Sequence, residues 1–244
     1  MEPRASLDAE AAVAFAALRK NPYPGRGLVI GRAAEDDAWL VVYWIMGRSA
    51  HSRNRRFVAD GPELRTEPVD AAAVEDPSLI IYEAMLELPG CYLVTNGDQT
   101  RTLRDGLEKG ESFEAALRSR EREPDAPNFT PRISGLLDLR ADPTVWLSLL
   151  RADPVDPERT ERTTFELVPP PAGLGRGLTT YEGDGSPLPS FRGEPTWLPL
   201  SGSADAVLDA YWDALDSDNR VALAVKRVTA GGSADLRVRN RFEG

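Results

Sequence analysis

The chain has 244 residues, 41% of them hydrophobic, and its formal net charge is −10. This apolar content is enough to bury a sizeable core, and the negative charge argues against nucleic acids and anionic membranes as partners. With one cysteine, Cys91, and one histidine, His51, the sequence excludes an internal disulfide and argues against a zinc knuckle or a histidine-based catalytic triad.

The first 20 residues predict an accessory helix. Residues 7–19 are rich in alanine, Ser6 is a candidate N-cap, and the sequence NPYPG at 21–25 ends the helix. The apolar run is too short to span a bilayer, and Asp8 and Glu10 stand where a signal peptide would be basic. We therefore expect a cytoplasmic protein without an export signal, in which residues 21–244 form one domain.

The next segments predict a β-sheet followed by a helix. Two strand-like runs at 26–32 and 38–46 flank an acidic turn, so they predict an antiparallel hairpin. The second run is apolar without interruption, which indicates burial on both faces. We expect a third strand near residues 56–59 to continue this sheet, and a helix from Asp76 to Leu88 that carries Tyr82.

The remaining segments predict a strand, two helices and then more strands. Residues 91–96 read as a strand that ends in the turn GDQT, and residues 99–108 and 112–122 as a helical pair. Short strand candidates follow at 132–139, 145–151, 162–168 and 175–183, then a helix at 204–216 and a closing hairpin at 219–239. This order of elements indicates an α+β fold rather than a regular βαβ repeat.

A cluster of arginines is the most unusual feature of this acidic sequence. Arg48, Arg53, Arg55 and Arg56 follow directly after the buried strand at 38–46. Such a cluster is equally compatible with a solvated loop and with a clamp for phosphate or carboxamide oxygens, because a guanidinium presents paired donors.

Three further loops carry polar groups that suit a ligand site. The proline-rich segment 120–135 contains Glu121, Glu123 and Asp125, and the segment 95–100 presents Asn96 and Asp98 at the start of a helix. The glycine-rich segment 181–195 reads more simply as a connector. Taken one by one, these loops predict no more than an α+β protein with an anion site.

Together, six strings resemble the IMP cyclohydrolase family, in its longer bacterial branch. They are NPYPGRG, IMGRSxxSRNR, DPSLIIY, TNGDQT, EPDAPNxTPRISG and GDGxPLPSFxGEP, in this order from about residue 21 to at least residue 200. The resemblance implies a four-layer αββα sandwich similar to N-terminal-nucleophile hydrolases, without their autocatalytic processing. It also implies ring closure of 5-formamidoimidazole-4-carboxamide ribonucleotide (FAICAR) to inosine monophosphate (IMP) and water, without metal or cofactor, by subunits that associate.

The same resemblance implies which residues form the site. Arg55, Tyr82 and Glu123 stand at the positions of the catalytic residues, although Glu121 competes with Glu123 because the alignment there needs a one-residue gap. The candidate ligands for base, ribose or phosphate are Arg48, Asn96, Asp98, Asn128 and Arg132.

Two alternative functions remain open at this point. One is a cyclohydrolase or amidohydrolase that acts on a related purine or imidazole ribonucleotide, since a fold does not fix a function. The other is a non-catalytic sensor of purine nucleotides, which would need the ligand clamp but no proton shuttle.

Overall fold

The computed structural model describes residues 2–74 and 81–242, and its strands form two antiparallel sheets in a mixed α+β fold. The six-stranded sheet contains β1 (Gly27–Arg32), β2 (Trp39–Met46), β10 (Leu174–Thr179), β11 (Thr196–Pro199), β12 (Arg220–Val228) and β13 (Ala234–Asn240). These strands are arranged in the order β11–β10–β1–β2–β12–β13.

The seven-stranded sheet follows the order of the chain, from β3 to β9. Its strands are β3 (Arg56–Asp60), β4 (Glu63–Glu67), β5 (Glu83–Leu88), β6 (Cys91–Thr95), β7 (Arg132–Asp138), β8 (Thr144–Ala152) and β9 (Thr160–Leu167). The α-helices are α1 (Glu2–Lys20), α2 (Ala50–Arg53), α3 (Gln99–Glu108), α4 (Phe113–Leu117) and α5 (Ala204–Ala214). Within the described ranges, none of these helices is long and apolar enough to cross a membrane.

The main core lies between the two sheets. Along β2, Val41, Tyr43 and Ile45 belong to this core, which also contains residues of β5, β6, β7 and β8. The alternate residues of β2, such as Val42 and Trp44, belong to a second core with residues of α1 and α5. Because successive side chains of a strand point to opposite faces, β2 is buried on both, as its unbroken apolar sequence predicts.

Helices α3 and α4 cover the other face of the seven-stranded sheet. Leu103 and Phe113 pack there with Cys91, Leu93 and Leu136 in a third core. Ser112 caps α4 by accepting a hydrogen bond from the backbone N–H of Ala115. Cys91 is therefore a small buried apolar side chain, in agreement with its position at the start of a strand.

Most predicted elements are confirmed, including the first hairpin, the strands after residue 131, the late helix and the closing hairpin. The helix predicted from Asp76 to Leu88 is wrong for its last six residues, because Glu83–Leu88 is strand β5. Tyr82 directly precedes this strand and does not lie on a helix. Residues 75–80 lie outside the described residues. Pairing of β5 with β4 and β6 outweighs the helical spacing of its apolar residues.

Two smaller expectations also need correction. Strand β3 does not continue the first hairpin but pairs with β4 in the seven-stranded sheet, because α2 turns the chain out of the first sheet after β2. The two sheets meet at this side through Asn240, whose side chain exchanges hydrogen bonds of 2.8 and 3.0 Å with the backbone of Phe57. Helix α1 starts before Ser6, so Ser6 is not its N-cap.

We predict that Gly31→Ala lowers the free energy of unfolding by about 1–3 kcal/mol, as overpacking does. Gly31 lies on β1, and an added Cβ would lie 2.2 Å from the carbonyl oxygen of Leu174 and 2.4 Å from the Cα of Gly175. Because these are backbone atoms of the paired strand β10, they cannot move aside like the end of a side chain. Urea denaturation of both proteins measures the difference.

Gly231→Ala is the matched control, since its Cβ would meet only the side-chain oxygen of Thr229 at 3.8 Å. The control should stay within about 0.5 kcal/mol of the parent. Equal stability of the two variants would contradict the close approach of β1 and β10.

Candidate functional site

A cavity of about 320 Å³ opens where loops of both sheets meet. The segment before β1 contributes Tyr23 and Arg26, and the segment after β2 contributes Arg48 and Arg55. Thr130 comes from the loop that leads into β7, and Tyr181 and Leu188 come from the loop after β10. The volume falls in the range of small-molecule sites, and most of the lining is polar.

A group of four buried polar side chains adjoins this cavity; Arg26 is in its lining, whereas Glu123, Tyr43 and Tyr82 are not. The Nη2 of Arg26 donates a 2.8 Å hydrogen bond to the Oε1 of Glu123, and both side chains are almost fully buried. The hydroxyls of Tyr43 and Tyr82 are 2.7 Å apart. The charge of Arg26 acts to lower the pKa of Tyr82, and the charge of Glu123 acts to raise it. The protonation states of these groups therefore depend on one another.

Burial shifts the titration of both candidate proton carriers. It raises the pKa of Glu123 above its ordinary value, while the positive charges of Arg26 and Arg132 oppose this rise. Burial also raises the pKa of Tyr82, against the opposing charges of Arg26 and Arg55. Glu123 can therefore exchange a proton closer to neutral pH than a solvated glutamate, and Tyr82 keeps its proton as a hydrogen-bond donor.

Arg55 is held beside the cavity by backbone carbonyls. Its Nε donates to the carbonyl oxygen of Ser52 at 2.9 Å, and its Nη2 to that of Met46 at 3.2 Å. Helix α2 fixes this loop through a capping box, in which the side chains of Ser49 and Ser52 each accept from the other's backbone N–H. Within the described residues Arg55 has no ion pair, so its positive charge is available to a ligand.

Arg48 connects the arginine-rich loop to the glycine-rich loop across the cavity. It forms an ion pair with Asp184 and donates a 3.0 Å hydrogen bond to the carbonyl oxygen of Gly185. Its guanidinium also lies 4.9 Å from the ring centre of Tyr23. Nearby, the side-chain oxygen of Asn128 accepts a 3.0 Å bond from the N–H of Leu188. The loop read as a plain connector therefore forms part of the site.

Thr130 and Tyr181 join the remaining walls. Their hydroxyls are 2.6 Å apart, and the ring of Tyr181 stacks on that of Tyr23 with centres 5.9 Å apart. Asp125 accepts a hydrogen bond from the Thr130 hydroxyl and a 2.6 Å bond from its backbone N–H. Burial raises the pKa of Tyr181 to about 12, so its hydroxyl is protonated at neutral pH.

The other three predicted ligands lie outside the cavity lining. Asn96 bonds to the backbone at Pro131 and Ile133, which anchors the start of β7. Arg132 donates a 2.8 Å hydrogen bond to Asp98, which also pairs with Arg120. Although burial favours the neutral form, these two arginines lower the pKa of Asp98. Among these residues, Asn96 holds the backbone at the end of the loop that carries Glu123, and the positive charge of Arg132 opposes the rise that burial causes in the pKa of Glu123.

The two competing glutamates occupy different environments. Glu123 is buried, and its backbone N–H donates a 2.9 Å bond to the carbonyl oxygen of Thr130. The Glu121 side chain is 64% exposed and lies 4.0 Å from Arg162. Glu123 therefore faces the polar cluster, and Glu121 faces solvent.

Sequence reasoning missed several residues of this site. Arg26 lies inside the string NPYPGRG and at the start of the strand-like run 26–32, and Tyr43 lies within the apolar run 38–46; neither pattern singles these residues out. Tyr23, Thr130 and Tyr181 also escaped attention. Within residues 2–74 and 81–242, no three His, Cys, Asp or Glu side chains are grouped so that they could hold a metal ion.

Comparison with known proteins gives the context of this site. The chain matches the family described as IMP cyclohydrolase-like protein over residues 23–232, which include every residue of the cavity. It is 30% identical over 172 residues to the IMP cyclohydrolase of Methanopyrus kandleri, and the alignment covers 69% of this chain and 79% of that protein. The match to the family extends over most of the chain, and the chain therefore belongs to the IMP cyclohydrolase-like family.

Proposed function

We propose that this protein is an IMP cyclohydrolase, which closes FAICAR to IMP with loss of water. The observation that carries the proposal is the buried Glu123, which is bonded to Arg26, a residue that lines a polar cavity together with Arg55. The membership of the family, and the name of the relative from Methanopyrus kandleri, support the choice of reaction.

The reaction requires proton transfer but no external nucleophile. The carboxamide nitrogen attacks the formyl carbon and forms a C–N bond, and a proton moves from this nitrogen to the former formyl oxygen. The resulting hydroxyl then leaves as water together with the proton of the formamide nitrogen, which gives the aromatic ring. Because both reacting groups belong to one substrate, a rigid site that holds them in contact supplies much of the acceleration.

Three side chains suit these steps. Glu123 accepts the carboxamide proton and returns it to the carbinol oxygen, which suits a carboxyl whose pKa is raised by burial. Tyr82 donates a hydrogen bond that orients the formyl group, since its hydroxyl stays protonated. Arg55 stabilises the negative charge that develops on the formyl oxygen, because its guanidinium bonds to backbone carbonyls and forms no ion pair with a carboxylate among the described residues.

The outer part of the cavity suits the ribose phosphate. Arg48 supplies a guanidinium there, and Asn128 supplies a side-chain amide. Asn96, Asp98 and Arg132 then act as supports for the loop of Glu123 and not as direct ligands.

The architecture supports a finer assignment of the fold. Two sheets pack face to face, α1 and α5 cover one outer face, and α3 and α4 cover the other. We assign this arrangement to the four-layer αββα sandwich similar to N-terminal-nucleophile hydrolases. In this assignment residues 21–244 form one catalytic domain of a cytoplasmic enzyme, with α1 as an accessory element.

We predict that chelator-treated wild type converts FAICAR to IMP, and that Glu123→Gln lowers kcat by about 10²- to 10⁴-fold, the usual contribution of a general acid–base group. The amide keeps the size of the side chain but cannot carry the proton. Absorbance of the product measures the rate.

Glu121→Gln is the matched control, and it should leave kcat unchanged because its side chain faces solvent. A folded wild type that binds IMP without turnover would contradict the proposed activity and favour a nucleotide sensor. Equal losses in both variants would contradict the assignment of Glu123.

We predict that kcat/KM decreases as the pH is lowered, with a midpoint above about pH 4.3, the approximate pKa of a solvated glutamate. Glu123 must be ionised to accept the proton, and burial raises its pKa in the free enzyme, so the rate falls as pH decreases through that raised value. A pH–rate profile of kcat/KM measures this limb. An acid limb at or below the ordinary glutamate range would contradict a buried Glu123 as the base.

We predict that Arg48→Gln raises KM for FAICAR by about 10-fold or more with a smaller effect on kcat, since a charge-assisted hydrogen bond contributes about 1.5–3 kcal/mol. Steady-state kinetics separate the two parameters. Arg56→Gln is the control from the same cluster, because Arg56 pairs with Glu67 and does not line the cavity. Equal increases of KM in the two variants would indicate a long-range effect of positive charge, and would contradict a direct contact between Arg48 and the substrate.

A further inference from the structure

Arg26 connects the cavity with the Glu123 carboxylate. Its side chain lines the cavity, and its Nη2 bonds to the Oε1 of Glu123 at 2.8 Å. In the described part of the chain this is the only ion pair of Glu123. The Arg26 guanidinium pairs with no other carboxylate among the described residues, and its Nε is buried there without a hydrogen-bond partner.

The backbone around Arg26 fixes where its side chain starts. Its N–H donates to the hydroxyl oxygen of Thr180 at 3.1 Å, and its carbonyl accepts from the N–H of Thr180 at 2.8 Å. Gly25 adopts a positive φ of 71°, and a Cβ there would lie 2.2 Å from the Thr180 hydroxyl oxygen. A Cβ on Gly27 would lie 2.0 Å from the Trp44 ring. The sequence Gly-Arg-Gly therefore allows the close packing that holds Arg26 in place.

The other charged groups that act on Glu123 form no ion pair with it within the described residues. Arg132 acts on Glu123 but is bonded to Asp98. Asp125 adds a negative charge on the same loop, and the hydroxyls of Tyr82 and Tyr181 also face this region. Without Arg26, the Glu123 carboxylate would be buried near Asp125 with Arg132 as its remaining positive neighbour, so burial would favour its protonated form more strongly.

We propose that Arg26 is a positioning residue of the cyclisation, which orients the Glu123 carboxylate toward the cavity and keeps it ionised until it accepts the carboxamide proton. The planar guanidinium is suited to this task because it holds a carboxylate oxygen in a fixed direction and does not lose its own proton. This inference rests on the proposed function for the step that Glu123 performs.

The test compares Arg26→Gln, Arg26→Lys and wild type by two measurements. One is the pH profile of kcat/KM. The other is the titration of Glu123 by ¹³C NMR of carboxyl-labelled glutamate without substrate, with the signal assigned by its absence in Glu123→Gln. Arg26→Met keeps the apolar stem and replaces the Gln variant if that variant does not fold.

In Arg26→Gln, we expect the pH midpoint of the Glu123 titration and the acid-side midpoint of kcat/KM to rise by about 1–3 pH units. This is the usual effect of removing an opposite charge at this distance. Arg26→Lys should return part of this shift. Arg151→Gln is the control, because it breaks the Arg151–Glu161 pair between β8 and β9 outside the cavity lining. It should leave both measurements unchanged.

A folded Arg26→Gln with the wild-type titration of Glu123 would overturn the proposal, and so would equal shifts in Arg151→Gln. The NMR measurement needs no substrate, so it separates this inference from the proposed function. If wild type does not convert FAICAR but Arg26 still controls the titration, the reaction is wrong and the electrostatic role of Arg26 stands.

Discussion

The buried contact between Arg26 and Glu123 is the constraint on which the arrangement of the site depends. Removing two charges from water is unfavourable, and their mutual attraction offsets this only when the geometry is good. Removal of one partner would leave a buried, uncompensated charge. The packing of Gly25 and Gly27 on one side, and the bond from Glu123 to the backbone of Thr130 on the other, keep the two side chains in contact.

The layered fold explains how such a contact can arise between distant parts of the sequence. Arg26 precedes the first strand of one sheet, and Glu123 lies in the segment that leads into β7 of the other. Packing of the two sheets brings these segments together at one end of the main core. Gly135 on β7 lacks a side chain where Ile30 of β1 approaches, since an added Cβ would lie 2.8 Å from the Ile30 Cδ1. Close packing of the sheets and assembly of the site are therefore linked.

Many of the strands could be predicted from the sequence, because alternating apolar residues and unbroken apolar runs indicate which faces of a strand are buried. The runs at β1, β2, β7 and β8 were predicted this way. Residues 83–88 were not, because the apolar positions Ala84 and Met85 fit a helix as well as a strand. Only the pairing with β4 and β6 decides between them, and this pairing is a tertiary property.

The site was predictable only where a recognised string contained the residue. Arg55, Tyr82 and Glu123 were named on resemblance, and their roles remain predictions. Arg26 and Tyr43 gave no local signal, because one resembles any arginine beside a strand and the other any buried aromatic residue. Their significance depends on partners 97 and 39 residues away in the sequence, which spacing within one segment cannot reveal.

The ion pair between Arg48 and Asp184 has a consequence for selectivity. In the free protein, the carboxylate of Asp184 is paired with the guanidinium to which we assign the phosphate of the nucleotide under the proposed function. An incoming anion must therefore displace an internal competitor, and weak or singly charged anions gain little by doing so. A dianionic phosphate displaces it more readily, since its attraction to the guanidinium is stronger. If Arg48 binds the phosphate as proposed, Asp184 therefore favours a dianionic phosphate over singly charged anions at this guanidinium.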